Sequence, residues 1–251
     1  MSYFRYLFFL LLVLLIQHTS YSQYKGNLNI KKKKIVANII KELNLAENSV
    51  YYNHVKIKKL KLNSNEFLVL LPVIVSGEKD ENSNGYYSFD KYILVYNINK
   101  EKIVNKSINL YKSKNKEGSV WMIDACKFNL RIDTAPYILN DSIRAFGIVR
   151  TTSCGKLGIM GYFEDLNLYI KQDNKLKLIL DNFHVVDGVP YPQKEPITKQ
   201  ILIISKTKTN GFYDILVKKT HKFYDDDLNI IKSYTTKYTL KYDGNKYKKS
   251  H

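Results

Sequence analysis

SVWMIDACKFNLRIDTAPYILNDSIRAFGIVR, residues 119–150, is the stretch whose reading decides the fold. It holds the single Trp (Trp121), one of the two Cys (Cys126) and three of the four Arg (Arg131, Arg144 and Arg150) of a chain that otherwise uses Lys for positive charge. Phe128, Leu130 and Ile132 alternate with polar residues, and Phe146 and Ile148 resume the alternation further on. Alternation with period two means a half-buried strand. Asp133, Thr134 and Pro136 supply turn chemistry, so the segment predicts two central antiparallel strands joined by a structured turn at 133–136. Arg131 and Arg144 lie near the ends of that turn, in reach of Asp133, Asp141 or Asp124. The expectation is an Arg/Asp network of Asp124, Arg131, Asp133, Arg144 and Arg150, with Arg144 to Asp133 its first pair. The functional alternative is that the same cluster lines a ligand pocket.

Outward from this hairpin almost everything after Tyr51 reads as strand. Glu66 to Val75 (EFLVLLPVIV) is continuously apolar, as a strand buried on both faces must be, with Pro72 at an edge position or a bend. Upstream, Val55 and Ile57 have opposite parity to Leu60 and Leu62, which predicts a bulge near Lys58 and Lys59. A polar loop over 76–88 precedes a strand over 91–97, and a second strand ends near Leu110. Between Asn29 and Leu45, Ile35, Ile39 and Leu43 recur every four positions with Val36 and Ile40 alongside, which is one apolar face of a helix.

A weak internal repeat organises the strands. KYILVYNINKEKIVN around Tyr96 is echoed by LNLYIKQDNKLKLIL around Tyr169 and by YTLKYDGNKYKK around Tyr242, the tyrosines being 73 residues apart both times. Each copy is a strand, a short polar turn and a second Lys-laced strand, preceded by one or two apolar strands. The expected fold is therefore mainly β, with three antiparallel blocks of about four strands in a propeller-like open array or a sandwich, and one N-terminal amphipathic helix.

The N-terminus reads as a secretory leader. Arg5 is followed by an apolar run from Tyr6 to Ile16 and by Ser20 and Ser22, small residues at the spacing a signal peptidase reads, placing cleavage between Ser22 and Gln23. The expected organisation is a signal peptide over 1–22, a helical segment over 23–50 and a single β domain over 51–251, exported to the periplasm or medium without an integral membrane segment after cleavage. The apolar run falls short of the ~20 residues that span a bilayer. The leader carries one Arg and no acid, so the mature chain keeps all but one unit of a net charge of +17. That charge is almost all Lys spread along the chain, whereas planar phosphate recognition favours Arg, which argues against nucleic acid.

Candidate chemistry is sparse. DENSNG at 80–85 fits half of a calcium loop, with Asp80, Asn82, Asn84 and Asp90 as candidate ligands. Lys91 stands where an EF-hand needs Glu, which excludes that motif, and ordinary turns use the same residues. No two histidines are spaced to ligate zinc from one element. Cys154 in TTSCG would need a His such as His184 brought in by the fold to act as a nucleophile; a disulfide with Cys126 is the better reading in an oxidising compartment. The acids at 225–227 read as a solvated turn, and P-loop, Rossmann and G-x-S-x-G patterns do not occur.

Two resemblances follow from particular residues. NGFYDILV at 210–217 resembles the FG-GAP repeat of propellers at Asn210, Gly211 and Asp214, but Lys206 and Lys208 occupy the upstream ligand positions. Asp124 with Ala125, Asp133 to Ala135 with Tyr137, Arg144 to Gly147, and Leu166 to Tyr169 together resemble uncharacterised exported bacterial proteins of a Bacteroidetes-like kind, in which an Asp-Thr-Ala-x-Tyr unit and an Arg-Ala-Phe-Gly unit precede a strand of the type LSLY. The resemblance implies export and the fold, and no mechanism. The expected function is a non-enzymatic exported binding or interaction domain with a protein or glycan partner and no cofactor, calcium apart. The alternatives are a hydrolase of cell-surface polymers using Asp124, Asp133 or Cys154, and a polyanion-binding protein.

Overall fold

The computed structural model describes residues 30–60, 65–78, 86–109, 126–156, 159–188, 196–225 and 227–250. The expected leader at 1–22, Asp80, Asn82, Asn84, Trp121 and Asp124 lie outside the described residues, as do the side chains of Asp90, Cys126 and Cys154. The chain is mainly β, and it divides into two compact units, Met1–Ser113 and Lys114–His251. Among the described residues no helix is long and apolar enough to cross a membrane.

In the first unit helix α1 (Ile30–Glu42) precedes strands β1 (Lys56–Lys59), β2 (Glu66–Glu78), β3 (Tyr86–Asn97) and β4 (Lys102–Asn109). Each strand pairs antiparallel with its predecessor. Ile35, Val36, Ile39 and Ile40 form the buried stripe of α1 and pack with Val69, Leu71, Leu94 and Tyr96. Burying each such side chain contributes about 2 kcal/mol. Asn38 donates to the Tyr96 hydroxyl at 2.7 Å and Glu42 accepts from the Ile103 amide at 2.8 Å, fixing the helix on the sheet. Leu68 and Leu70, of opposite parity to Val69 and Leu71, are as deeply buried, so β2 is covered on both faces as its unbroken apolar run requires. Pro72 lies beyond the β1 register, which ends at Leu70, so its missing N–H falls where that edge of β2 has no β1 partner. The bulge expected near Lys58 and Lys59 is absent. β1 runs in continuous register from Lys56 to Lys59 and stops there, so the change of parity marks a strand end.

The second unit contains β5 (Cys126–Ile138), β6 (Arg144–Lys156), β7 (Ile159–Gln172), β8 (Lys175–Gly188), β9 (Ile197–Thr209), β10 (Phe212–Tyr224), β11 (Ile230–Tyr242) and β12 (Tyr247–Lys249). All consecutive neighbours pair antiparallel, but β8 and β9 share only two register pairs, Val186 with Lys199 and Asp187 with Thr198. The meander is thus one continuous sheet of two four-stranded halves that meet at a narrow β8–β9 junction. Their common core sets Val149, Leu166, Leu168 and Ile179 of the first against Ile215, Val217 and Leu240 of the second. The strand order is that of an open, antiparallel sheet, which is not closed into a barrel.

The repeat is structural. Tyr96, Tyr169 and Tyr242 lie on β3, β7 and β11, the third strand of each successive set of four, and all three are buried. A Phe on the second strand of each set accompanies them. Phe67 is the register partner of Tyr96, and the rings of Phe146 and Tyr169 stack at 6.0 Å and those of Phe212 and Tyr242 at 4.2 Å.

Asp133, Thr134 and Pro136 do not form the turn between β5 and β6. The register jumps from Asp133 opposite Gly147 to Tyr137 opposite Ala145, so these residues make a bulge inside β5. The turn falls at 139–143, where the Asn140 side chain accepts from the amides of Ser142 at 2.9 Å and Ile143 at 2.7 Å. Asp133 satisfies the Ala135 amide locally, so the strand resumes after the bulge.

Candidate functional site

Residues of β5, β6 and β7 alternate between two faces, and the site is built on both. Toward the core face point Asp133, Gly147, Val149 and Leu166; toward the other point Arg150 and Asp165. Arg150 and Asp165 are register partners, as are Asp165 and His184 on β8. The Arg150 guanidinium holds Oδ2 of Asp165, with Nε at 3.0 Å and one terminal nitrogen also in contact, while His184 Nδ1 lies 2.6 Å from Oδ1. Asp165 is buried and His184 is largely exposed, so the row runs from a half-covered cation through an enclosed anion to an imidazole at the surface.

Asp124 of the expected Arg/Asp network lies outside the described residues, and the arginines of that network meet other partners among the described residues. Arg131 reaches Glu164 at 3.3 Å and Arg150 reaches Asp165. Arg144 donates to the Thr134 carbonyl at 2.8 Å and so clamps the bulge, while Asp133 accepts from the Ala135 amide at 2.9 Å and the Tyr137 hydroxyl at 2.8 Å. The Arg144 to Asp133 pair is therefore not formed. Burial, and then the negative charge of Asp133, raises the Tyr137 phenol well above its ordinary range. Glu164 and Asp165 escaped the sequence reading. Two adjacent acids inside β7 were the available signal, since an acid buried in a strand needs partners on the strands beside it.

Gly147 explains itself at this place. A Cβ there would stand 2.6 Å from Cδ1 of Leu166 and 3.1 Å from Cβ of Asp133, so its absence lets the side chains of β5 and β7 close in over β6 from either side.

Between the bulge of β5 and the start of β9 the two halves of the meander part to leave a half-open groove of about 490 Å³. Val149, Leu166 and Val185 form its apolar bed, Asp133 and Tyr137 one wall and Leu202 and Ile204 the other. Arg131 and Lys199 supply cations at its margins. Gln200 stands where β8 and β9 separate: its amide donates to the His184 carbonyl at 2.7 Å and accepts from the Tyr238 hydroxyl at 2.7 Å. Four consecutive β9 residues, Lys199 to Leu202, border the groove. A strand that lines a cavity with both parities presents its edge, with its backbone donors and acceptors.

Cys126 and Cys154 are register partners at the far end of the β5–β6 pair. Asn210 and Gly211 both have positive φ, +49° and +79°, which is the two-residue turn that joins β9 to β10. Asp214 is buried and accepts from Thr207 Oγ1 at 2.7 Å, while its Oδ1 has no hydrogen-bond partner. Among the described residues no three His, Cys, Asp or Glu side chains converge to hold a metal ion. Comparison of the chain with protein-family models, with curated proteins and with solved structures finds no match.

Proposed function

We propose that this chain is an exported, non-enzymatic binding domain whose ligand lies in the groove of the second unit. The observation that carries the reading is the groove itself, with an apolar bed of Val149, Leu166 and Val185 beside the cations Arg131 and Lys199. Apolar clefts with a few convergent polar groups are the usual form of a binding site. Asp133, the acid within it, already accepts two hydrogen bonds, which suits a structural wall better than a proton carrier. The leader-like N-terminus and the resemblance to exported bacterial proteins support the location.

The test uses anilinonaphthalene sulfonate, whose apolar rings and single anion match this bed and its margin. Its fluorescence should rise on titration into wild-type protein and fall away in Ala135→Trp, which fills the groove. Equal enhancement in both proteins, or none in either, sinks the reading.

A further inference from the structure

Beyond its two register pairs with β8, β9 presents an edge among the described residues. From Gln200 onward its register partners lie on β10 alone among the described residues, because pairing with β8 ends at Lys199. An unpaired edge is a template for another strand, and natural proteins shield or charge such edges. This one carries ILII at 201–204, with Ile201 half-exposed and Ile203 nearly so, and it borders the groove. Over Ile197–Thr209 it has Lys199, Lys206 and Lys208 and no acid. Lys218, the register partner of Ile201 on β10, adds a cation on the outward face and itself neighbours Lys237 on β11.

We propose that an extended, acidic peptide segment of a partner protein adds to the edge of β9 from Gln200 to Lys206 as a further strand. The proposal rests on the groove being the ligand site and names its occupant. Backbone groups of β9 supply the hydrogen bonds, and alternate side chains of the peptide enter the groove beside Leu202 and Ile204. The intervening side chains face Lys199 and Lys218, which select acids there. The same lysines disfavour a second copy of this chain, since two β9 edges brought together would juxtapose like charges along their length.

The experiment measures fluorescence anisotropy with labelled peptides of about seven residues, the length of an ordinary strand. One alternates Glu and Val, one alternates Lys and Val, and one is the Glu/Val peptide N-methylated at alternate residues so that one edge cannot hydrogen-bond. Strand addition predicts binding of the Glu/Val peptide, binding about tenfold or more weaker for the N-methylated form, and slowed amide exchange within 200–206. The Lys199→Glu/Lys218→Glu variant should reverse the preference between the Glu and Lys peptides. Equal binding of the N-methylated peptide overturns strand addition and leaves the groove as a site. Equal binding of the Lys/Val peptide overturns the acidic specificity. Concentration-dependent dimers without peptide binding make the occupant a second copy and overturn the proposal. Binding of the sulfonate probe without any peptide overturns this proposal alone, whereas loss of both overturns the groove reading too.

Discussion

Arg150 and Asp165 face each other directly across β6 and β7, with the guanidinium closed over a carboxylate that is almost fully withdrawn from water. Arg131 of β5 and Glu164 of β7 meet across β6 on the opposite face, and that Arg is half-exposed. The two pairs have the same chemistry in different surroundings, and their energetics should differ accordingly.

Asp165→Asn removes the anion between Arg150 and His184 and leaves a half-covered guanidinium facing an amide. Breaking a fully buried pair costs about 3–5 kcal/mol, and the partial exposure of Arg150 reduces this to roughly 2 kcal/mol. A fall in Tm of roughly 5 °C is expected. Arg131→Ala, at the exposed pair, should cost less than about 1 kcal/mol. Thermal unfolding of the two variants decides the matter, and equal losses would contradict the difference drawn between the faces.

Gly147→Ala places a methyl group against Leu166 and the backbone-proximal Cβ of Asp133. The expected cost is about 1–3 kcal/mol by denaturant unfolding. Leu166→Ala in the same chain removes the shorter of the two contacts, so the double variant should lose less than the sum of the single changes. Strict additivity would show that steric contact with Leu166 is not what calls for glycine.

Cys126 and Cys154 stand opposite each other in the register of β5 and β6. Directly opposed residues of antiparallel strands have Cα atoms about 4.5–5.5 Å apart, inside the range a disulfide spans. Protein purified under oxidising conditions should therefore take up no thiol reagent until reduced, and then two equivalents, read by mass spectrometry. Uptake before reduction shows that the two remain thiols.

Tyr137, Tyr169 and Tyr247 all have phenols raised by burial, which comes first in each case; nearby carboxylates add to it, Asp133, Asp181 and Asp214 respectively. In the unfolded chain these groups ionise near pH 10. A folded pKa above the unfolded one contributes stability that is complete below about pH 10 and is lost as pH rises toward the folded value. Alkaline titration should give a first group of phenolates with the fold intact and a late group that appears together with loss of the β-sheet circular dichroism. A single ionisation near pH 10 with an intact fold would refute this.

Sequence pattern went far toward the fold and less far toward the site. The spacing of Tyr96, Tyr169 and Tyr242 could be read because each set of four strands needs a large buried side chain at the same place, so the constraint recurs along the chain. The unbroken run of β2 was legible for the same reason: covering two faces excludes polar residues from both. The contacts of the arginines were not legible. They depend on which residues the registers of β5, β6 and β7 set side by side, and a bulge of two extra residues after Asp133 changes that by itself. Turn chemistry at Asp133 to Pro136 was correctly located yet wrongly assigned, since a bulge and a chain reversal draw on the same local hydrogen bonds. The edge of β9 has no sequence signature. It exists because β8 and β9 diverge after two register pairs.

In the second unit every strand from β6 onward pairs with the one synthesised just before it. No strand has to wait for a partner encoded far downstream, and each loop closure is short, which lowers its entropic cost. The chain can zip from β5 toward β12 in the order of its synthesis. The slow step is then the meeting of the two halves of the meander, because within this unit that is where residues as distant as Leu139 and Tyr213 find each other, joined by a 2.6 Å backbone hydrogen bond.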